Sequence, residues 1–187
     1  MTRINEPLIR FVAITLALAS MPSWGAQQQS EAGTARVPAT IVSAKKVFIS
    51  NAGGGCSPWG NVIFSGGPNR PYNQFYAALK GWGRYELVAA PADADLALEI
   101  SFTCPVEGTN TADGGSGLPT SAPQLRLVIL DVKTHVTLWG ITEHVELAIL
   151  QSNRDKNLDR TMRKLVDGLK HLAAGTFPPS VFVDSGS

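Results

Sequence analysis

Few residues of this 187-residue chain could do chemistry: two cysteines, three histidines, and carboxylates set near or inside apolar runs. Cys56 and Cys104 form no Cys-x-x-Cys motif, the arrangement that lowers a thiol pKa for redox work. His135, His144 and His171 lack His-x-x-x-His spacing, and no Cys/His cluster has the spacing of zinc ligands. The Gly-rich stretch Asn51–Arg70 invites a phosphate-cradle reading, but its spacing denies one. Counting from Gly53, Pro58 stands where G-x-G-x-x-G needs its last glycine. After Gly60 come Asn61 and Val62, where a P-loop places Lys and Ser/Thr. Gly114–Leu118 (GGSGL) fails as a nucleophile elbow because Leu118 replaces the final glycine, which leaves Ser116 a loop serine. No catalytic, cofactor-binding or metal-ligating residue is therefore assigned, and no cofactor is expected.

The carboxylates are more informative. Asp93 and Asp95 share one side of an extended segment beside Pro91, a setting in which aspartate turns the chain. Glu99 follows the parity of Ala97 and Ser101, opposite Leu96, Leu98 and Ile100, and should face solvent. Glu143 interrupts the Trp139/Ile141/Val145 face. It reads as half of an ion pair with Arg126 on the adjacent strand or as part of a frayed strand edge, with a catalytic acid as the alternative. Trp82 reads as core. Trp59, in the Gly-rich stretch, is the candidate partner contact, because tryptophan is favoured at interface hot spots.

These residues must be held by elements that the periodicity reveals. Val47–Ile49 ends a strand within Ala44–Ser50. Pro71 suits the first position of a helix, and Tyr72, Phe75, Leu79 and Trp82 recur at helical spacing, so a helix is predicted over Pro71–Gly81. Tyr85–Val88 and Leu96–Phe102 read as short strands around the Pro91–Asp95 turn. Val106–Pro123 has the composition of a surface loop. Gln124–Val132 and Val136–Leu150 read as a hairpin turning at Asp131–His135. Asn153–Ala173 is an amphipathic helix with Leu158, Met162, Leu165, Val166, Leu169 and Leu172 as its apolar stripe. The order β-α-β-β-β-β-α predicts an α/β fold of α+β type: a single two-layer sandwich with a mixed sheet of about five strands and helices on one face.

The ends of the chain carry a different message. Met1–Arg10 contains Arg3 and Arg10, Phe11–Met21 is apolar, and Ser23 and Gly25 supply small residues at −3 and −1 of a cut after Gly25. This is the pattern of a secretory leader, residues 1–25. Its apolar run is about half the length that a ~30 Å hydrocarbon core requires, so no stable membrane anchor is expected after cleavage. Residues 26–39 read as a flexible N-terminal segment, 40–174 as one α/β domain and 175–187 as a C-terminal tail. The formal net charge is +1, and removing Arg3, Arg10 and Glu6 with the leader leaves basic and acidic residues in equal number. A neutral chain lacks the basic face of a nucleic-acid binder. The expected location is periplasmic or secreted.

In an oxidising compartment an even cysteine pair is expected to bond, with two free thiols or a redox-active pair as the alternatives. Were the first and third strands parallel neighbours, Cys56 and Cys104 would emerge at the same edge of the sheet. Parallel crossovers usually take a dozen or more residues, and fewer separate Val88 from Leu96, so the relative direction of those strands stays open.

Ala92–Ile100 (ADADLALEI), Leu125–Leu147 (LRLVILDVKTHVTLWGITEHVEL) and Asp159–Leu172 (DRTMRKLVDGLKHL) together resemble a family of small bacterial envelope domains. These are typified by the TolB N-terminal domain and its CsgG-like and LpoB-like relatives. The shared pattern is a strand opening with Ala-Asp, a long hairpin turning between Asp131 and Thr134, and a closing amphipathic helix. The resemblance implies a protein-contact or assembly module without shared catalytic residues. The chain departs from the pattern in lacking a lipid-attachment cysteine and in its enlarged Gly-rich stretch. The expectation is an exported, non-catalytic module whose partner is an envelope or extracellular protein. The candidate surfaces are the Gly-rich stretch, the Val106–Pro123 loop and an open sheet edge. A small hydrolase-like secreted enzyme is the alternative.

Overall fold

A computed structural model describes residues 36–56, 64–109 and 119–178. The expected leader, Trp59, Ser116 and most of the C-terminal tail lie outside the described residues.

Helix α1 (Ala39–Ser43) leads into strand β1 (Lys46–Gly53). Helix α2 (Arg70–Trp82) has Pro71 in its first turn and ends on Gly83, whose φ of 69° closes the helix in the left-handed conformation. Strand β2 (Glu86–Leu87), a 3-10 turn at Pro91–Asp93 and strand β3 (Leu96–Thr103) follow. Strands β4 (Val106–Thr109) and β5 (Pro119–Ser121) pair with each other in a small separate sheet. Strands β6 (Gln124–Asp131) and β7 (Thr137–His144) form the hairpin, and helix α3 (Gln151–Ala173) closes the fold.

The main sheet is mixed, in the order β2-β1-β3-β6-β7. β1 runs parallel to both β2 and β3, while β3-β6 and β6-β7 are antiparallel. One face carries the core. Val47, Leu96, Leu98, Ile100, Leu125, Leu127 and Ile129 are buried there beneath Phe75 and Leu79 of α2 and Leu158, Leu165, Leu169 and Leu172 of α3. The opposite parity of β3, from Ala97 to Thr103, is only half-buried, as expected of a sheet with helices on one face. Three features depart from the expectation: α1, the β4–β5 pair inside a segment read as loop, and the end of β7 at His144 instead of Leu150.

The short connection into β3 is explained by where β2 stops. Leu87 lies beside Val47 on one side of β1, and Leu96 lies beside Val47 on the other. The chain has only to pass under the start of β1, a span of about two strand spacings (~10 Å), and no return along the sheet is needed. The passage is fastened by backbone bonds from Val88 N–H to the Val47 carbonyl (3.0 Å) and from Asp95 N–H to the Lys46 carbonyl (2.8 Å). The Asp95 carboxylate accepts both the Lys45 and Lys46 N–H groups at 2.9 Å.

Because β1 and β3 are parallel, their C-terminal ends share one edge. Cys56 and Cys104 are joined there by a disulfide, with their Cα atoms 4.9 Å apart. Beside the bond, Gly54 has φ 126°, and a Cβ built on it would lie 1.8 Å from the Phe102 carbonyl oxygen. Only glycine fits where these two backbones meet. Gly54→Ala is expected to lower unfolding stability by about 2 kcal/mol or more. Reducing the disulfide should cost about 4 kcal/mol in the loop-entropy account. Urea unfolding of the oxidised, reduced and Gly54→Ala proteins checks both.

Candidate contact surface

The densest polar cluster among the described residues joins α2 to α3. Arg70 projects from the first turn of α2 and meets Asp155 and Asp159, one helical turn apart on α3, with 2.7 Å contacts to each. Asp155 also accepts the Ser65 N–H at 2.8 Å and the Ser65 hydroxyl at 2.7 Å. Gln74 donates to Asp159 at 2.8 Å. These bonds to Ser65, with the Asp155 contacts to Gln151 and Arg70, hold the Asp155 carboxyl down at about 2. Phe64, just before Ser65, is buried edge-on against Phe102 with ring centroids 4.9 Å apart. The cluster thus fastens the last part of the Gly-rich stretch, α2 and α3 together. Its carboxylates are spent on protein donors, which makes it a clamp. The spacing of Asp155 and Asp159 was its one visible sign in the sequence.

The residues singled out from sequence are dispersed. Glu143 lies opposite Leu125, and Arg126 lies opposite Thr142. The two side chains therefore project from opposite faces of the sheet, and the expected ion pair is corrected: a pair displaced by one residue cannot meet across a pleat. Glu143 is half-buried, and Glu99 is half-buried on the open face. Asp95 caps the start of β1, and the two N–H groups it accepts lower its pKa. Asp131 turns the hairpin by accepting from Lys133 N–H at 2.8 Å and Thr134 N–H at 3.0 Å. His135 takes the left-handed conformation in that turn, His144 is exposed, and His171 Nδ1 lies 3.2 Å from the Thr176 hydroxyl. Among the described residues no group of three or more His, Cys, Asp or Glu side chains is placed to share a metal ion. Trp82 packs edge-on against Tyr85, centroids 5.3 Å apart, beside the core. An open groove of about 390 Å3 runs between α2 and α3 over Ala78, Trp82, Met162 and Val166.

The unusual surface lies where β7 gives way to α3, where sequence reasoning extended β7 too far. The segment Val145–Leu150 leaves the strand because α3 side chains take its backbone carbonyls. Thr161 donates to the His144 carbonyl at 3.2 Å, and Asn157 to that of Glu146 at 2.9 Å. Arg154 donates to the carbonyls of Ala148 and Ile149, at 3.1 and 2.6 Å. Arg160 meets the Glu146 carboxylate at 3.2 Å. The backbone is held against the helix while the aliphatic side chains point away: Leu147 is 61% exposed, Ile149 95% and Leu150 62%. Three large aliphatics on a fastened segment form an apolar knuckle.

The knuckle adjoins the β7 edge of the sheet. At the other edge β2 pairs only with Lys46 and Val47, and no described strand pairs with that side of β1 beyond Val47. β7 offers eight residues, Thr137–His144, with neither lysine nor proline among them, and no described strand pairs with its outer side. Val136, at the start of this edge, is 55% exposed, and Phe177, packed on Trp139 with centroids 5.8 Å apart, is 42% exposed. The edge strand and the knuckle form one surface along β7.

No family model and no curated protein sequence matches the chain. Among solved structures it is similar to a single-substitution variant of the PelC dodecamer from Paraburkholderia phytofirmans, at 17% identity and TM-score 0.42, covering 67% of this chain and 87% of that one. It is also similar to the LpoB C-terminal domain from Salmonella enterica, at 16% identity and TM-score 0.34, covering 55% of this chain and 83% of that one. TolB from Acinetobacter baumannii is a third, at 12% identity and TM-score 0.33, covering 70% of this chain and 28% of that one. The resemblance read from the sequence thus meets TolB and LpoB again among structures. At these values the likeness concerns the arrangement of the chain and assigns no activity.

The clamp carries a pH signature. A carboxylate whose folded pKa lies below its unfolded value of 3.8 stabilises the fold above about pH 4, and that contribution is lost as pH falls through about 2. Asp155→Asn should therefore be less stable than the parent at neutral pH, and the difference should shrink between pH 4 and pH 2. Urea midpoints measured across that range check it.

Proposed function

We propose that the chain is an exported, non-catalytic binding or assembly module of the bacterial cell envelope that contacts another protein along β7. The observation that carries this reading is the knuckle. Leu147, Ile149 and Leu150 are held outward by hydrogen bonds that Thr161, Asn157 and Arg154 make to the backbone behind them. Exposed aliphatics that are also ordered lose little side-chain and backbone freedom on docking, which favours binding. The edge beside them, with which no described strand pairs on its outer side, supplies backbone donors and acceptors of the kind used in strand addition. The disulfide suits an oxidising compartment and supports the periplasmic or secreted location that the leader suggests.

The test is affinity capture from the native envelope with the oxidised protein, its Ile149→Glu/Leu150→Glu variant and a Trp59→Ala variant. The expected result is specific recovery of one protein by the parent, reduced at least about tenfold by the paired Glu substitutions. Loss confined to Trp59→Ala would move the interface to the Gly-rich stretch. Recovery of nothing specific would sink the contact reading.

A further inference from the structure

The charges of α3 are unevenly placed around the helix. Of its three acidic residues, Asp155 and Asp159 turn to Arg70 in the clamp, which leaves Asp167 on the outer face, paired with Lys170 at 2.9 Å. Lys156, Arg160, Arg163, Asp167 and Lys170 recur at intervals of four and three residues, one stripe of a helix, and all are exposed, as is Lys164 beside them. Arg160 meets Glu146 at 3.2 Å, and no described residue pairs with Lys156, Arg163 or Lys164. The charges of the whole chain nearly cancel, so this face holds a local excess of cations. The knuckle runs straight into it: Leu150 is the residue before the first turn of α3, and the Glu146–Arg160 pair ties the two together. A cationic helix face and three outward aliphatic side chains are therefore contiguous.

We infer that the knuckle and the outer face of α3 seat the protein reversibly on the surface of an anionic phospholipid bilayer. Each lysine or arginine near such a surface strengthens partition about fivefold, an attraction that fades within a Debye length. Aliphatic side chains that pass the headgroups bury their area at the boundary of the acyl chains. The fastening of the knuckle suits that passage. The carbonyls of His144, Glu146, Ala148 and Ile149 already accept from Thr161, Asn157 and Arg154, so they need no water when Leu147, Ile149 and Leu150 enter the interface. The pairing of features selects the partner. Cations alone would suit any polyanion, but an acidic polymer offers the three aliphatics no apolar medium. Aliphatics alone would suit any apolar groove, but a groove leaves the cations without a counterpart. The inference shares with the proposed function only the exposure of the knuckle. It requires no protein partner and does not involve Thr137–His144.

The test is cosedimentation of the exported, oxidised protein with vesicles of phosphatidylcholine, with or without one-third phosphatidylglycerol, at physiological ionic strength and above it. The expected result is binding to the phosphatidylglycerol vesicles at least about tenfold tighter than to phosphatidylcholine alone, weakening as salt is raised. Arg163→Glu/Lys164→Glu and, separately, Ile149→Glu/Leu150→Glu should each weaken that binding at least about tenfold, with the circular dichroism spectrum unchanged because all four side chains are exposed. Lys45→Glu/Lys133→Glu makes the same change of charge at the opposite end of the strands, and it should alter binding less than about twofold. An equal loss in this control would reduce the effect to net charge and overturn the assigned face. Unchanged binding by Ile149→Glu/Leu150→Glu would overturn the bilayer as partner in favour of a polyanion. No binding by the parent would overturn the inference and leave the protein contact along β7, which affinity capture reads separately, standing.

Discussion

The fold depends on how β1 begins. The N–H groups of Lys46 and of Lys45 just before it point to the carboxylate of Asp95, forty-nine and fifty residues on. Next to them the chain leaves β2 after two residues and passes to the other side of β1 as β3. That crossing makes β1 parallel to both neighbours. Everything at the far end of the strand follows: β1 and β3 finish at the same edge, Gly54 lies against the Phe102 backbone, and Cys56 meets Cys104. Had β2 continued for several residues, the connection to Leu96 would have been too short for a parallel strand, and the cysteines would have ended at opposite edges.

The helix layer is fastened by a separate device. Arg70 bridges two carboxylates spaced one turn apart on α3, and Ser65 brings in the end of the Gly-rich stretch. The disulfide and the clamp thus hold the two ends of that stretch, Cys56 to β3 and Ser65 to α3. Neither has the open valences of a catalytic group. The sulfurs are bonded to each other, and the carboxylates are occupied by protein donors whose hydrogen bonds favour the ionised form.

The β7 side is built on the reverse principle. Polar side chains of α3 turn inward to carbonyls of residues 144–149, and Leu147, Ile149 and Leu150 are left outside. A flexible connection would collapse such side chains onto the nearest apolar surface. Here the backbone is satisfied where it lies, so the aliphatics stay presented. Presentation of apolar groups beside a strand whose outer side no described strand covers is the physical basis for reading the molecule as a contact module.

Much of this was legible from one dimension. The stripe Leu158–Leu172, the alternation in Leu96–Phe102 and the turn chemistry at Asp131 are local, and they placed α3, β3 and the hairpin close to where they stand. The cysteine pair was legible as a candidate bond because an even count in an exported chain carries its own chemical logic. Three things were decided only in the tertiary structure. The direction of β3 relative to β1 turned on the length of β2, which no local pattern sets. Glu143 and Arg126 are separated by register, because a one-residue offset reverses the face of a side chain. And the alternation through Val145–Leu150 reads as strand until α3 packs alongside and its Arg154, Asn157 and Thr161 side chains claim the carbonyls of the segment. The contact surface therefore arose where a long-range set of hydrogen bonds overrode a short-range hydrophobic period, and that competition is settled only once the helix and the segment are side by side.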